Sequence, residues 1–277
     1  MKILVIGDFH GIFPLKLKKE VRNADLVLCT GDFGGSDKLL NVIFKYFEKG
    51  WWNIVGEKKV KQYILEDYNS GIKIMEELNS FEKTIYVIPG NWDFLNKSKE
   101  ERTAKLNLEM YPPLVRRRFK NLKWWNRGLK VVNGIRILAF GGMVTAGAYL
   151  DKGVLSDKKR RRNIQSNKEE VKQIMAHGKD KIDILFSHYP LYGFFDIVRF
   201  KGKNPMNGKH IGFKGFTQFV KKYSPKLAIS GHLHEYQGHK RFGKTLIVET
   251  GAAKEGKAVI IDYPDNKKGK IKVKFIK

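Results

Sequence analysis

The 277-residue sequence is poor in acid, cysteine and proline, and it has no long hydrophobic run. Its one cysteine, Cys29, excludes an internal disulfide framework and a cysteine-based metal knuckle. Eight prolines and no Pro/Gly/Ser-rich stretch leave no linker to divide the chain. The longest uncharged apolar stretch of note, Ile137 to Leu150, is too short and too Gly-rich to span a bilayer. Before Asp8 there is one lysine and a short apolar run, which is not the pattern of a signal peptide. No fixed-period repeat recurs, which excludes a solenoid or propeller. These absences lead us to expect a soluble, cytoplasmic, single-domain protein over residues 1–277.

Acidic residues number 28 against 54 lysines and arginines, a formal charge of +26. Such a surface favours anionic partners, including nucleic acid and phosphorylated metabolites. A lysine-rich composition alone produces the same excess without a polyanion partner. The basic runs Arg116–Arg118 and Lys158–Arg162 point in several directions if helical, so neither forms one basic face.

Hydrophobic residues make up 42% of the chain, enough for a substantial core. Strands are expected at Ile3–Ile6, Leu26–Cys29, Ile85–Ile88, Ile135–Phe140, Ile182–Phe186, Leu227–Ile229, Leu246–Val248 and Val259–Ile261. Most are apolar without alternation, as in strands covered on both faces. Asn133-Gly134 is a two-residue hairpin signal. The lysine-alternating tail after Asp262 reads as an edge strand following a Pro-Asp-Asn turn. Helices are expected after a Ser36 cap, after a capping box at Ser166 and Glu169, and around Phe216, Phe219, Val220 and Tyr223. Strands alternating with helices give an α/β or α+β layered fold. Segments 50–70 and 97–127 fit the pattern poorly. They carry Trp51-Trp52 and Trp124-Trp125, and could form a lid, or an insert with one ring of each pair packed inward.

Five apolar runs end in the same way. ILVIG leads to Asp8-Phe9-His10, LVLCTG to Asp32, TIYVIPG to Asn91, IDILFS to His188, and LAISG to His232-Leu233-His234. Ligands of open α/β sheets gather beyond the carboxyl ends of strands. In extended chain, residues i and i+2 face the same way, which pairs Asp8 with His10 and His232 with His234. Seven nitrogen and oxygen ligands are too many for one tetrahedral site. They suit two metals sharing a carboxylate, with manganese, iron or zinc favoured over calcium or magnesium.

The set D-x-H, GD, GN, H and GHxH, in this order, resembles the calcineurin-like metallophosphoesterases. The stretch from His188 to Glu235 resembles a prokaryotic subgroup of them. The resemblance implies two packed mixed β-sheets flanked by helices. It implies a first metal on Asp8, His10 and His234, a second on Asn91, His188 and His232, and Asp32 as the bridge. Manganese leads among the metals, with iron, zinc or nickel as alternatives. A metal-bridging hydroxide would attack phosphorus in line.

The third motif departs from the family. It reads Gly90-Asn91-Trp92-Asp93, where the pattern has histidine after asparagine. That histidine is commonly assigned to leaving-group protonation, a role indole cannot fill. General acid catalysis is worth roughly 10²–10⁴-fold, so poor leaving groups would suffer most. This favours a phosphodiesterase acting on a nucleotide, a cyclic nucleotide or nucleic acid. A phosphomonoesterase or phosphoprotein phosphatase, and an inactive scaffold binding protein or nucleic acid, are the alternatives. Trp92 could stack on a base or simply fill the vacated space. His210, on a Gly-rich basic loop, could contact the phosphate or protonate the leaving group, or else anchor its loop. Asp93 is expected to order the Asn91 loop, and Glu235 to support His234.

Overall fold

The computed structural model describes residues 1–35, 37–47, 49–264 and 269–277. The expected cap Ser36 and the Asp265-Asn266 part of the expected turn lie outside the described residues. The chain opens with β1 (Lys2–Ile6), α1 (Leu15–Asn23), β2 (Leu26–Cys29), α2 (Asp37–Lys45), α3 (Trp51–Ile54) and α4 (Glu57–Asn79). It continues through β3 (Ile85–Val87), α5 (Lys99–Thr103), α6 (Tyr111–Arg118), β4 (Leu122–Trp124), β5 (Arg127–Val132) and β6 (Ile135–Phe140). Then come α7 (Asp157–Met175), β7 (Ile184–Ser187), α8 (Lys214–Tyr223) and β8 (Leu227–Ser230). The last strands are β9 (Gly238–Phe242), β10 (Thr245–Glu249), β11 (Ala258–Asp262) and β12 (Lys272–Ile276).

These strands form two six-stranded mixed sheets, ordered β12-β11-β1-β2-β3-β4 and β5-β6-β7-β8-β10-β9. In the first, β1 to β4 run parallel and β11 and β12 close one side antiparallel. In the second, β6, β7, β8 and β10 are parallel, with antiparallel β5 and β9 at the edges. The tail is the edge strand its alternation predicts.

Strand periodicity assigns the faces. Ile3, Val5, Leu26 and Leu28 of the first sheet pack against Ile137, Ile184, Phe186 and Ile229 of the second. The opposite face of the first sheet, with Leu4, Ile6, Val27 and Cys29, is covered by Leu17 and Val21 of α1, Met75 and Leu78 of α4 and Leu114 of α6. The outer face of the second, with Leu138, Phe140, Leu185 and Ala228, is covered by α7 and α8 through Ile174, Phe216, Phe219 and Val220. Both faces of each sheet are therefore apolar, which is why the strands read as continuous hydrophobic runs.

The hairpin forms at Asn133-Gly134, with φ of 49° and 79°, as a two-residue primed turn requires. One helix start differs from expectation. Ser166 and Glu169 lie inside α7, which begins at Asp157. Its first half has Ile164 as its one apolar residue, and Ile174 is the helix's one buried residue, so hydrophobic periodicity marks only its end. The two unassigned segments contain α3 to α6 and β4, and one ring of each tryptophan pair, Trp51 and Trp125, is buried. No helix among the described residues is long and apolar enough to cross a membrane.

Candidate metal centre

The parallel strands of both sheets end on one side of the molecule, and the turns that follow them carry the polar cluster. Asp8 and His10 follow β1, Asp32 follows β2 and Asn91 follows β3. His188 follows β7, and His232 and His234 follow β8. Asp8 and His10 do not lie in extended chain. Their φ values are 57° and 42°, with Asp32 at 55° and His232 at 76°. Left-handed turns, not strand alternation, bring these side chains together. Each such residue costs roughly 1–3 kcal/mol and persists only where its surroundings hold it. Here the Asp8 N–H donates to Gly31 O at 2.8 Å, and the Phe9 and His10 N–H groups donate to Asp32 O. The Asp93 carboxylate accepts from the N–H groups of Gly90, Asp32 and Phe33 at 2.8, 3.0 and 3.0 Å. Asp93 thus clamps the Asp32 and Asn91 turns together, as expected of it. Its buried carboxyl is pushed up to about 6, chiefly by burial.

All seven expected ligands converge in two groups. Asp8, His10 and His234 form one, with His10 Nε2 3.0 Å from His234 Nε2 and His234 Nε2 3.6 Å from Asp8 Oδ1. Asp32, His188 and His232 form the other, with His188 Nε2 3.2 Å from His232 Nδ1. Asn91 Oδ1 joins this second group, 2.8 Å from His188 Nε2. Asp32 Oδ2 stands between the groups, 3.8 Å from His10 Nε2 and 3.5 Å from His188 Nε2.

The donor set fits cations. His10 Nδ1 faces Gly34 O at 3.1 Å, and His188 Nδ1 faces Thr30 O at 2.8 Å. A carbonyl only accepts, so each Nδ1 carries the hydrogen and each Nε2 presents a lone pair. Burial and neighbouring imidazoles hold His10 and His232 well below the usual histidine range, and burial lowers His188. Neutral rings cannot form ion pairs with Asp8 or Asp32. The His188 Nε2 lone pair faces the lone pairs of Asn91 Oδ1 at 2.8 Å, and these repel unless a positive ion lies among them. Ligand atoms about 2.1 Å from one ion stand at about this spacing from each other. Burial and the charges of Asp93 and Asp8 push Asp32 well above the carboxylate range, and bound cations would reverse that. The Asp8 carboxylate accepts from the His232 N–H at 3.1 Å and from the Thr30 hydroxyl at 3.4 Å.

A cavity of about 220 Å³ opens over the cluster. His10, Asp32, Asn91, His232 and His234 form its floor, with Lys254 beside them. The walls come from α2, from residues 143–149 and from the loop between β7 and α8. Segments 50–70 and 97–127 do not line it. Trp92 does, its backbone N–H donating to Asp32 Oδ1 at 2.8 Å and its Nε1–H to Asp67 Oδ1 at 2.9 Å.

His210 is not among the residues lining this cavity. Its Nδ1 pairs with buried Asp196 at 2.9 Å, and Asp196 also accepts from the Gly193 and Gly212 N–H groups. The pair fastens its own loop. Glu235 does not back His234; it accepts from the Arg199 N–H at 2.8 Å. Two contributors lie outside the motifs. Tyr189 stacks on His232 with centroids 4.1 Å apart. Asp67 sits on the buried face of α4 among Val60, Ile64, Ile74 and Leu78. A lone acid on an apolar helical stripe was the signal for it.

The sequence model of calcineurin-like phosphoesterases matches residues 1–236. No curated protein matches the chain. Among solved structures, a dimetal phosphatase from Danio rerio aligns over all of this chain and 96% of its own, at 9% identity with a TM-score of 0.54. The protein TT1561 of Thermus thermophilus aligns over 99% and 97%, at 14% identity and a TM-score of 0.50. A further crystal structure aligns over 100% and 99%, at 20% identity and 0.63. At these identities the structural likeness speaks to the fold alone. The family match is independent of it and spans every residue of the cluster. The chain therefore belongs to the calcineurin-like phosphoesterases, a family built around a binuclear metal centre.

Proposed function

We propose that the protein is a phosphodiesterase dependent on two divalent metals, with manganese the first candidate. Asp8, His10 and His234 would hold one ion, Asn91, His188 and His232 the other, and Asp32 would bridge them. When bound, such a pair acidifies a water and neutralises phosphoryl oxygens. The protein's own part is to fix the donors. Gly34 O and Thr30 O set the His10 and His188 tautomers, and Asp93 holds the Asp32 and Asn91 turns in register. Lys254 adds positive charge beside the phosphate position. We also infer that the whole chain acts as one catalytic domain, because both sheets contribute ligands.

The observation that carries the diester reading is the direction of the Trp92 indole. Its one donor is turned to Asp67, so it supplies no proton to a leaving group. A diester with a good leaving group is least affected by that loss. We place no proton transfer on His210, because it does not line the cavity over the cluster.

The test is turnover of bis-p-nitrophenyl phosphate against p-nitrophenyl phosphate by metal-stripped protein supplied with Mn²⁺. Diester cleavage is expected to exceed monoester cleavage, and Asp32→Asn to lower it by at least about 100-fold. Monoester turnover equal to or above diester turnover would reverse the assignment. No turnover of either with Mn²⁺, Ni²⁺, Zn²⁺ or Mg²⁺ would remove it.

A further inference from the structure

The wall above the metal cluster is more apolar than a phosphate site requires. Leu40, Phe44 and Phe47 lie at i, i+4 and i+7 of one face running along α2 and just past its end, and all three line the cavity half-buried. The other face of α2 is already used. Leu39, Val42 and Ile43 pack with Trp51, Val60 and Ile64. A surface helix needs one apolar stripe to dock; this one carries two. Across the cavity, Phe200 meets Phe44 edge-on at 5.3 Å, and Met206 and exposed Met143 complete the wall.

Three polar atoms of the wall are turned elsewhere, while the Tyr149 and Tyr189 rings also line it. Asn204 Oδ1 accepts from the Met206 N–H, Glu235 Oε1 from the Arg199 N–H, and Trp92 Nε1 donates to Asp67. A nucleobase is recognised through hydrogen bonds to its edges as well as by stacking. A hydrocarbon chain needs only apolar area, and flexible methionines adapt well to one.

We propose that this cavity takes a hydrocarbon substituent of the substrate, so that the preferred substrate class is a phosphodiester carrying a long alkyl or acyl-bearing group. This rests on the phosphodiesterase reading above and adds its specificity. The phosphate sits on the cluster, and the chain lies against the apolar wall that α2 and the loop carrying Phe200 and Met206 form together. Each fully buried methylene is worth up to about fourfold in affinity, so a few buried methylenes produce a large preference.

The experiment compares methyl, butyl and octyl p-nitrophenyl phosphodiesters, and thymidine 5′-p-nitrophenyl phosphate, with Mn²⁺-loaded protein. The expected result is a rise in kcat/KM of at least tenfold from methyl to octyl, carried by KM, with the octyl ester ahead of the thymidine ester. Phe200→Ala and Phe44→Asn should each cut the octyl-to-methyl ratio at least fivefold. Should Phe44→Asn fail to fold, Phe200→Ala on the loop still reads the wall. Calorimetry of octylphosphonate against methylphosphonate gives a readout without turnover, and at least tenfold tighter octyl binding is expected. The octyl ester offered as monomer or within phosphatidylcholine vesicles shows whether the chain is drawn from solution or from a bilayer, and preference over methyl in either form supports the proposal. Equal methyl and octyl values in turnover and binding overturn it while leaving the diesterase reading intact. A thymidine ester ahead of the octyl ester overturns it in favour of a nucleoside. Absence of any turnover fails the diesterase reading instead, and the phosphonate titration then decides this one.

Discussion

The turns that carry the metal-binding groups and the wall that rises above them solve opposite problems. In the turns, polar residues are buried, backbones are left-handed, and the carboxylates are held by backbone N–H donors. In the wall, apolar residues are half-buried and meet by ring contacts such as Phe44 on Phe200. The first arrangement has one solution, because shifting any turn misplaces several donors at once. The second has many, because apolar surfaces repack at modest cost. Position-critical chemistry is thus confined to strand ends braced by two sheets, while substrate fit is left to a helix and a loop.

Breaking the turns should therefore cost far more than breaking the wall. Gly31→Ala is the most severe case. Gly31 has φ +88°, and a Cβ there would lie 2.1 Å from Gly90 N and 2.6 Å from Pro89 C, both backbone atoms. The Asp32 and Asn91 turns would have to separate. A loss of at least about 3 kcal/mol is expected, read as a large drop in urea midpoint or as insoluble protein. A midpoint within error of the parent would show the turns to be as adaptable as the wall.

Trp92→Phe comes next, because it keeps a ring but removes the donor to Asp67. Burial pushes the Asp67 carboxyl up to about 7, and the indole hydrogen bond opposes that rise. Removing the bond should cost about 1–3 kcal/mol. Above about pH 7 the acid ionises, and the lost hydrogen bond is then one to a charge. The variant's deficit should be larger at about pH 8 than at about pH 6, and a deficit independent of pH would detach Asp67 from Trp92.

The division between turns and wall also sets what was legible in the sequence. The strands announced themselves because both faces of each sheet are covered, and the ligands because each follows an apolar run at a sheet's carboxyl end. Their pairing was reached through the wrong geometry: Asp8 and His10 meet through left-handed turns, which no side-chain periodicity reports. The wall was not legible. Phe44 and Phe200 are separated by most of the chain, and nothing local marks either as lining the same space. The first half of α7 was missed because its helical character rests on propensity more than on an apolar stripe. The α4 segment was legible, since Val60, Ile64, Tyr68, Ile74, Met75 and Leu78 recur at helical spacing, but the charged residues between them obscured the stripe.

Phe44→Ala probes the wall directly. The ring is only half-buried, so a loss below about 1.5 kcal/mol is expected in urea denaturation. A loss as large as that of Gly31→Ala would mean that α2 is part of the structural frame and not an adaptable cover.

The effect of opposite sign should come from beneath the turns. Glu249 on β10 is fully buried. Its Oε2 accepts from Ser230 Oγ at 2.7 Å, and its Oε1 has no hydrogen-bond partner. Burial pushes this carboxyl well above its ordinary value of 4.5, so the folded protein holds a proton there that the unfolded chain releases once pH exceeds that value. The unfolded state then binds fewer protons, and stability falls as pH rises until the native acid itself ionises. Glu249→Gln keeps the shape and removes the titration. Its urea midpoint should match the parent near about pH 4 and exceed it increasingly toward neutrality, with the parent's downward slope reduced. A parallel offset at every pH would show that Glu249 is charged in the folded state, and the floor under the turns would then need a cation of its own.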